Sequence, residues 1–204
     1  MARKNNSDDI SNFHEYGLYI PTRTVQFPYI EGDCDVSQAS VNKVIANLHI
    51  LETLDNTKPI TLLLDSYGGD TFQALALYDY IRSLESVVHI KTIGACMSAA
   101  TIILQAGDRR IISDNCTFMM HIGSESYDDH SLNVRRWVKH SEKVLEPKVT
   151  EIYSYRMKRK PRESEAQLLK RIDSLQMLDT ILTAEQAVEL GLADEIMPVK
   201  GYSK

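Results

Sequence analysis

The chain has 204 residues, 43% of them hydrophobic and 25% charged, with a formal net charge of −5. These values predict a single domain with a sizeable core, and the negative charge argues against a nucleic-acid partner, which would favour a basic face. The sparse, odd number of cysteines and an N-terminus without the apolar stretch of a signal peptide predict a cytoplasmic protein. Three scattered cysteines without a C-x-x-C pair argue against a zinc site, and no apolar run reaches the roughly 18–20 residues that a membrane span needs, so we expect neither a metal nor a membrane.

The chain opens with a polar stretch, and residues 1–23 are predicted to form a flexible N-terminal arm. A strand is expected over 25–30. A helix then runs to about Leu54, capped by Ser37 or Ser40, because apolar residues recur behind these serines at spacings of three and four. The first elements are therefore predicted to be a strand followed by an amphipathic helix.

Two units of strand, turn and helix come next. The first has an apolar strand, expected to be buried on both faces of a parallel sheet, and a Gly-Gly turn. The second has a β-branched strand that ends at Gly94, a short turn and a serine at the start of an aliphatic helix. This alternation is typical of a mostly parallel sheet covered by helices, so we predict an α/β fold. The predicted segments are 60–64, 68–69 and 71–84 in the first unit and 87–93, 95–97 and 98–106 in the second.

The second half of the chain is predicted to be mainly helical. Two short strands precede a long helical pattern over 131–159, which Pro147 must kink or interrupt. A second amphipathic helix follows, and the capping box at 183–186 begins a last helix that stops at Gly191. The strands are predicted over 110–112 and 117–121, and the second helix over 163–172.

Three residues suggest nucleophilic catalysis. Ser98 lies at a predicted helix start, where unpaired backbone N–H groups and the helix dipole can stabilise an oxyanion, although a simple N-cap is the alternative. His121 closes an apolar strand, at the kind of edge where α/β sites gather, and a core histidine is the alternative. Asp179 lies inside the apolar run 177–182, where a carboxylate is costly unless it is paired. An imidazole N–H is a suitable partner for it, and a turn or cap aspartate is the alternative.

A pair of glycines follows the first buried strand. Gly68 and Gly69 accept positive φ and let the backbone approach a ligand, so their amides can bind a carbonyl oxygen or a peptide strand. Neither a Walker pattern nor G-x-G-x-x-G is present, which argues against a phosphate loop. Cys96, two residues before Ser98, is predicted to be a small buried residue rather than a nucleophile.

Four segments carry a resemblance to a known family: ITLLLDSYGGD, IGACMSAATIILQAG, TFMMH and LDTILTAEQAVELGLADEI. In this order they resemble the Clp-type serine proteases, the proteolytic subunits of the ClpP family. The resemblance implies a nucleophile, a general base, a residue that orients the base, and an oxyanion hole made of backbone amides. By position these are Ser98, His121 and Asp179, in that order of role, with Gly68, Gly69 and Ala99 at the oxyanion hole.

The resemblance also implies an architecture and partners. It covers roughly residues 24–198 and implies a crotonase-like head with a protruding handle at about 131–172, followed by a C-terminal tail at 199–204. Members of this family form heptameric rings that stack into a tetradecamer, and they cleave unfolded polypeptides inside the enclosed chamber. The partner is an AAA+ unfoldase of the Clp type, which alone uses ATP, so we expect the subunit itself to need no cofactor and no metal.

Several departures from the family pattern indicate a divergent branch, in keeping with a viral or mobile-element origin. Tyr67 stands where the family has proline, and Ile122-Gly123 replaces Gln-Pro. Residues 158–165 are the expected insert in a longer connection, which predicts altered ring stacking. The pocket for the unfoldase's loop, normally aromatic, is thin here, which predicts atypical docking. Its matching positions are Leu63, Ser83, Ile111 and Met197, with Thr61 beside them.

Three alternative functions remain open at this point. A phage-type capsid or scaffold maturation protease of the same superfamily would cleave a particle protein and require no ATPase. A non-catalytic structural subunit of a mixed Clp complex would not need Ser98, His121 and Asp179 together, and neither would a crotonase-type acyl-CoA enzyme.

Overall fold

This computed structural model describes residues 6–28, 35–123 and 128–198. Within them an eight-stranded sheet and a separate two-stranded sheet are combined with helices. The helices are α1 Asn6–Tyr16, α2 Gln38–Leu54, α3 Thr71–Ser83, α4 Ala99–Gln105, α5 Ser131–His140, α6 Glu146–Ser154, α7 Glu165–Gln176 and α8 Ala184–Leu190. The strands are β1 Leu18–Tyr19, β2 Thr24–Gln26, β3 Asp35–Val36, β4 Ile60–Ser66, β5 Gly68–Gly69, β6 Val88–Met97, β7 Arg109–Ile112, β8 Thr117–Met120, β9 Thr180–Leu182 and β10 Glu195–Ile196.

The large sheet runs in the order β1-β2-β4-β6-β7-β10, with β8 joined to β6 and β9 joined to β8. The pairs β1–β2 and β8–β9 are antiparallel, and the other neighbours in this sheet are parallel. Helix α4 is buried along its whole length. This arrangement confirms the predicted α/β class with a mostly parallel sheet.

The predicted helix boundaries around α2, α3 and α8 are confirmed, and each follows from its cap. The side chain of Ser37 caps α2 in a reciprocal capping box, and Asp70 caps α3 by accepting two backbone N–H bonds. The capping box at Thr183 begins α8, which ends at Gly191 in the left-handed conformation with φ of +81°.

Strand β6 is longer than the sequence predicts. The predicted turn at 95–97 is wrong, because the strand continues through Gly94 to Met97. Gly94 adopts φ of +72°, and the Ala95 N–H donates to Asp65 Oδ1 at 2.9 Å across an irregularity in the β4 register. At this bend β6 exchanges β7 for β8 as its neighbour. One strand therefore connects the centre of the sheet directly to Ser98.

The N-terminal segment differs from the predicted flexible arm over 1–23. Its described part contains α1, which is tied to α2 where Asn47 Nδ2 donates to the Tyr16 carbonyl at 2.7 Å. The strand predicted over 25–30 is found as β2, and its predicted last residues, 29–30, lie outside the described residues, as do residues 1–5 and the predicted tail at 199–204.

The predicted helix over 131–159 is found as α5, a π-helical turn over Ser141–Leu145, and α6. The interruption falls immediately before Pro147, which cannot donate an intrahelical hydrogen bond. None of the described side chains of α5 is buried, whereas α6 buries Val149, Thr150, Ile152 and Tyr153. The resemblance places the handle at about 131–172; from here on, the word handle refers only to α5, the π turn and α6, which are residues 131–154. The helix predicted over 163–172 is α7, and residues 155–164 connect it to the handle.

Candidate active site

Ser98 occupies the junction between β6 and α4 in an unusual backbone conformation. Its φ of 51° and ψ of −127° lie outside the common regions for a non-glycine residue, and strain of this kind concentrates at functional sites. Its N–H donates to the Met119 carbonyl at 2.7 Å, so β8 holds the junction. The Ser98 side chain makes no capping hydrogen bond. The N-cap alternative therefore does not explain this serine.

His121 and Asp179 are brought together by the pairing of β8 with β9. The antiparallel register sets Met120 opposite Thr180, so the next residues along the two strands, His121 and Asp179, are also opposite each other. His121 Nδ1 lies 2.9 Å from Asp179 Oδ1, and His121 Nε2 lies 2.7 Å from Ser98 Oγ. With Nδ1 protonated, His121 donates to the carboxylate and accepts the Ser98 hydroxyl proton at Nε2.

Asp179 was singled out on the assumption that the apolar residues around it are buried, and the structure does not bear out that assumption. Its side chain is 65% exposed, whereas that of His121 is 24% exposed. The apolar residues beside it are exposed as well: Met177 at 72%, Leu178 at 79% and Ile181 at 67%. The assumption that this run is buried is therefore wrong for the chain alone, although the expected imidazole partner is found.

Gly68 and Gly69 form β5, the partner of β3, directly beside Ser98. They adopt φ of +111° and +139°, and a Cβ at Gly68 would lie 2.6 Å from the Ser98 Cβ. The Gly68 N–H donates to Ser66 Oγ at 3.1 Å. The Asp70 N–H donates to the Val36 carbonyl, so the alternation of an extended strand turns the Gly69 N–H away from β3.

A cavity of about 260 Å³ opens beside these groups, and Gly69, Ser98, Ala99 and His121 all line it. We call it the cavity beside Ser98. Its lining includes the first residue of α4, where backbone N–H groups lack intrahelical partners. The predicted nucleophile, base and two of the three predicted oxyanion-hole residues thus border one space, while Gly68 packs behind Ser98 without lining it.

Two buried contacts that sequence reasoning missed support the site. Thr101 of α4 bonds both the Ser98 carbonyl and the Tyr153 hydroxyl of the handle, the latter at 2.7 Å. Burial raises the pKa of Tyr153, which keeps the phenol protonated as a hydrogen-bond donor. The sequence presents Tyr153 only as part of an apolar helix stripe, so nothing in it indicates this bond.

Gln176 is the second supporting residue. Its carbonyl accepts the N–H of Ile122 at 2.8 Å, one residue after His121, and its side-chain amide donates to Thr150 of the handle at 3.0 Å. Thr150 in turn donates to Asp173. Gln176 therefore joins the handle to the segment that carries His121, three residues before Asp179.

The described residues give no support for a cysteine nucleophile, a metal site or a membrane-spanning helix. Burial raises the pKa of the Cys96 thiol well above its usual range, in keeping with the predicted structural role. Within residues 6–28, 35–123 and 128–198 there is no group of three or more His, Cys, Asp or Glu side chains that could hold a metal ion. The helices of this part of the chain are all too short or too polar to cross a membrane.

Comparison with known proteins was made on the whole sequence. The model of the Clp protease family matches residues 23–200. A protein of Deinococcus radiodurans named ATP-dependent Clp protease proteolytic subunit is 26% identical over 164 residues, which cover 79% of this chain and 76% of that protein. A Tropheryma whipplei protein named ATP-dependent Clp protease proteolytic subunit 1 is 28% identical over 176 residues, with the same shares of both chains.

Proposed function

The chain belongs to the Clp protease family and is a serine-type peptidase, and from this premise we propose that Ser98, His121 and Asp179 are its catalytic triad. The observation that carries the proposal is the continuous hydrogen-bonded chain from Ser98 Oγ through both ring nitrogens of His121 to Asp179 Oδ1, at 2.7 and 2.9 Å. An acyl-CoA enzyme has no use for this relay, and a non-catalytic subunit would not need to maintain it.

The reaction follows from the positions of the protons. His121 Nε2 removes the hydroxyl proton as Ser98 Oγ attacks the scissile carbonyl, and Asp179 keeps Nδ1 protonated and stabilises the imidazolium. The same proton then passes from Nε2 to the leaving amine as the C–N bond breaks, leaving an acyl-serine. His121 then deprotonates a water that attacks the acyl carbon, and it passes that proton to Ser98 Oγ as the bond between the acyl group and Oγ breaks and the new carboxylate leaves.

The tetrahedral oxyanion needs two donors at the site. We assign them to the N–H groups of Gly69 and Ala99, since both residues border the same cavity as Ser98. Gly68 is given a steric role instead, because its N–H already donates to Ser66 Oγ. Losing one such donor typically lowers the rate by about 10²–10³-fold.

The proposal extends to the assembly and substrate. Family membership indicates an oligomer and a Clp-type ATPase partner; heptameric rings stacked into a chamber that admits unfolded polypeptide are the specific form that we propose. The handle supports this, since Trp137 and Val138 of α5 are 45% and 39% exposed and lie on the same side of the helix. We also propose that docking of the ATPase loop is atypical, because the matching positions Leu63, Ser83, Ile111 and Met197 carry no aromatic side chain.

The deciding experiment compares wild type with Ser98→Ala. A fluorophosphonate probe should add one mass increment to the wild-type chain and none to the variant, and hydrolysis of a fluorogenic peptide should fall by at least about 10³-fold with the melting temperature and native mass retained. Hydrolysis that persists in a folded, unlabelled Ser98→Ala protein would refute the assignment.

A further inference from the structure

The cavity beside Ser98 is the place where a bound peptide would lodge the side chain of its acyl-side residue, the residue that donates the scissile carbonyl. This inference rests on the proposed function. The cavity has apolar walls formed by Ile102 of α4 and by Leu145 and Val149 of the handle, all of them buried. Such walls suit the methylene groups of a long side chain. Its polar lining decides what the end of that side chain must be.

The handle presents one continuous face to the cavity. Ser141, Leu145, Val149 and Tyr153 all line it, at a constant spacing of four residues. Glu146 follows Leu145 directly, so it lies at the edge of this face rather than at its centre, and its side chain is half-buried there. The π turn ends at this point, where the Glu146 N–H donates to the Ser141 carbonyl. π turns occur frequently at functional sites.

The carboxylate and the basic side chains decide the charge of the lining. Glu146 is the only carboxylate among the described residues that line the cavity, and none of those residues is a lysine or an arginine. The Gln176 amide nitrogen is already directed at Thr150, which turns its carbonyl oxygen the other way. A carboxylate accepts several hydrogen bonds at once, so Glu146 can serve a ligand in addition to its neighbours in the protein.

Further acidic side chains lie outside the cavity. Ile122 and Glu146 also border a groove between the handle and α7, and the described residues lining that groove include further acids but no lysine or arginine. Some of these acids are engaged: Glu165 pairs with Arg159 at 3.7 Å, and Asp173 accepts a bond from Thr150. The groove therefore places further carboxylates near the opening of the cavity. The four other acids of the groove are Glu142, Glu151, Glu165 and Asp173.

We propose that the cavity beside Ser98 selects lysine or arginine as the acyl-side residue, with the apolar walls holding the methylene stem and Glu146 binding the cationic head. Glu146 is thus a specificity-determining residue of the handle. A neutral apolar side chain would pack against the walls but would not offer Glu146 a charged hydrogen-bond donor. A partly desolvated charge-assisted bond is typically worth about 10- to 100-fold in relative rate.

The test uses fluorogenic peptides that are identical except for lysine, arginine, leucine or glutamate on the acyl side of the scissile bond. For the full wild-type chain, kcat/KM for lysine and arginine should exceed that for leucine by about 10-fold or more, and glutamate should be cleaved least. Glu146→Gln should reduce the lysine-to-leucine ratio of kcat/KM by about 10-fold, with most of the loss falling on the lysine peptide. The control is Glu189→Gln, which removes the same charge from the exposed surface of α8 and should leave the ratio unchanged.

Fluorophosphonate labelling of Ser98 is measured on every sample, so that specificity and catalysis are separated. A labelled wild-type enzyme that prefers leucine overturns the specificity proposal and leaves the triad standing. The same holds if Glu146→Gln is labelled normally and keeps the wild-type ratio. An unlabelled, inactive wild type overturns both proposals. The wild-type preference alone decides the matter if Glu146→Gln fails to fold.

Discussion

Replacing Gly68 with alanine tests whether the glycine pair is required by the packing around Ser98. The new Cβ would lie 2.6 Å from the Ser98 Cβ, 2.9 Å from the Met97 carbonyl oxygen and 3.1 Å from the Ala99 nitrogen. Carbon atoms in van der Waals contact are about 3.5–4.0 Å apart, so Ser98 and residue 68 must separate by about 1 Å. None of these neighbours is the free end of a flexible side chain.

The size of the effect follows from two terms. Holding alanine at φ of +111° adds backbone strain of about 1–3 kcal/mol, which should lower the free energy of unfolding by that amount. Moving Ser98 by about 1 Å relative to His121 should lower kcat/KM by about 10²-fold, because a misplacement of that size disrupts the reacting geometry. The loss of activity should thus exceed what the change in stability explains.

The assay combines peptide hydrolysis, fluorophosphonate titration and thermal unfolding at one protomer concentration, since oligomerisation affects the melting temperature. Gly123→Ala is the matched control for stability: Gly123 also has a positive φ, of +93°, but no atom of the described residues lies within 4 Å of its added Cβ. If Gly68→Ala keeps kcat/KM within about threefold of wild type, or melts no lower than Gly123→Ala, the steric reasoning is refuted.

Two further predictions concern the handle and its connection to α7. Tyr153→Phe removes the buried hydroxyl bond to α4 and should cost about 1 kcal/mol of stability. Tyr155→Phe removes only a solvent-exposed bond to Glu151, at a position 68% exposed, and should cost less; equal melting temperatures for the two variants would contradict this. Hydrogen bonding and charge from Arg171 lower the pKa of Glu163 from 4.5 to about 2. The folded state therefore favours the carboxylate, and its stabilisation is full above about pH 4.5 and lost as the pH falls through about 2. Arg171→Gln should accordingly flatten the fall in melting temperature between about pH 5 and 2, while Arg159→Gln, whose ion pair spans 3.7 Å, should leave it unchanged.

The main architecture was predictable because local patterns determine it. Apolar runs, the serine and threonine caps and Gly191 predicted most elements between α2 and α8, and the alternation of strands and helices predicted the parallel sheet. Gly94 misled the prediction because glycine usually ends a strand, whereas here its positive φ bends β6 and lets it continue.

The residues of the candidate site could be predicted from the sequence, whereas the contacts that hold them in place could not. Ser98 and His121 could be singled out by their places at a helix start and a strand end, and Asp179 as a carboxylate inside an apolar run. The register that sets β8 against β9, however, joins positions about 60 apart in the chain. The bond from Tyr153 to Thr101 spans 52 residues in the same way. Hydropathy alone also could not show that the run around Asp179 is exposed in the single chain, because a pattern does not specify what covers it.

Ser98 adjoins a strand with several neighbours in the sheet, whereas Asp179 adjoins a strand with one, and this difference affects how the protein loses activity. Ser98 follows β6, the most extensively paired strand of the sheet, so its amide should exchange hydrogen with solvent only when the whole molecule opens. Among the described strands, β9 pairs with β8 alone, and the Asp179 side chain that precedes it is largely exposed. This edge should open in smaller, more frequent excursions, so mild denaturant should disengage the carboxylate and its histidine while the serine is still held in place.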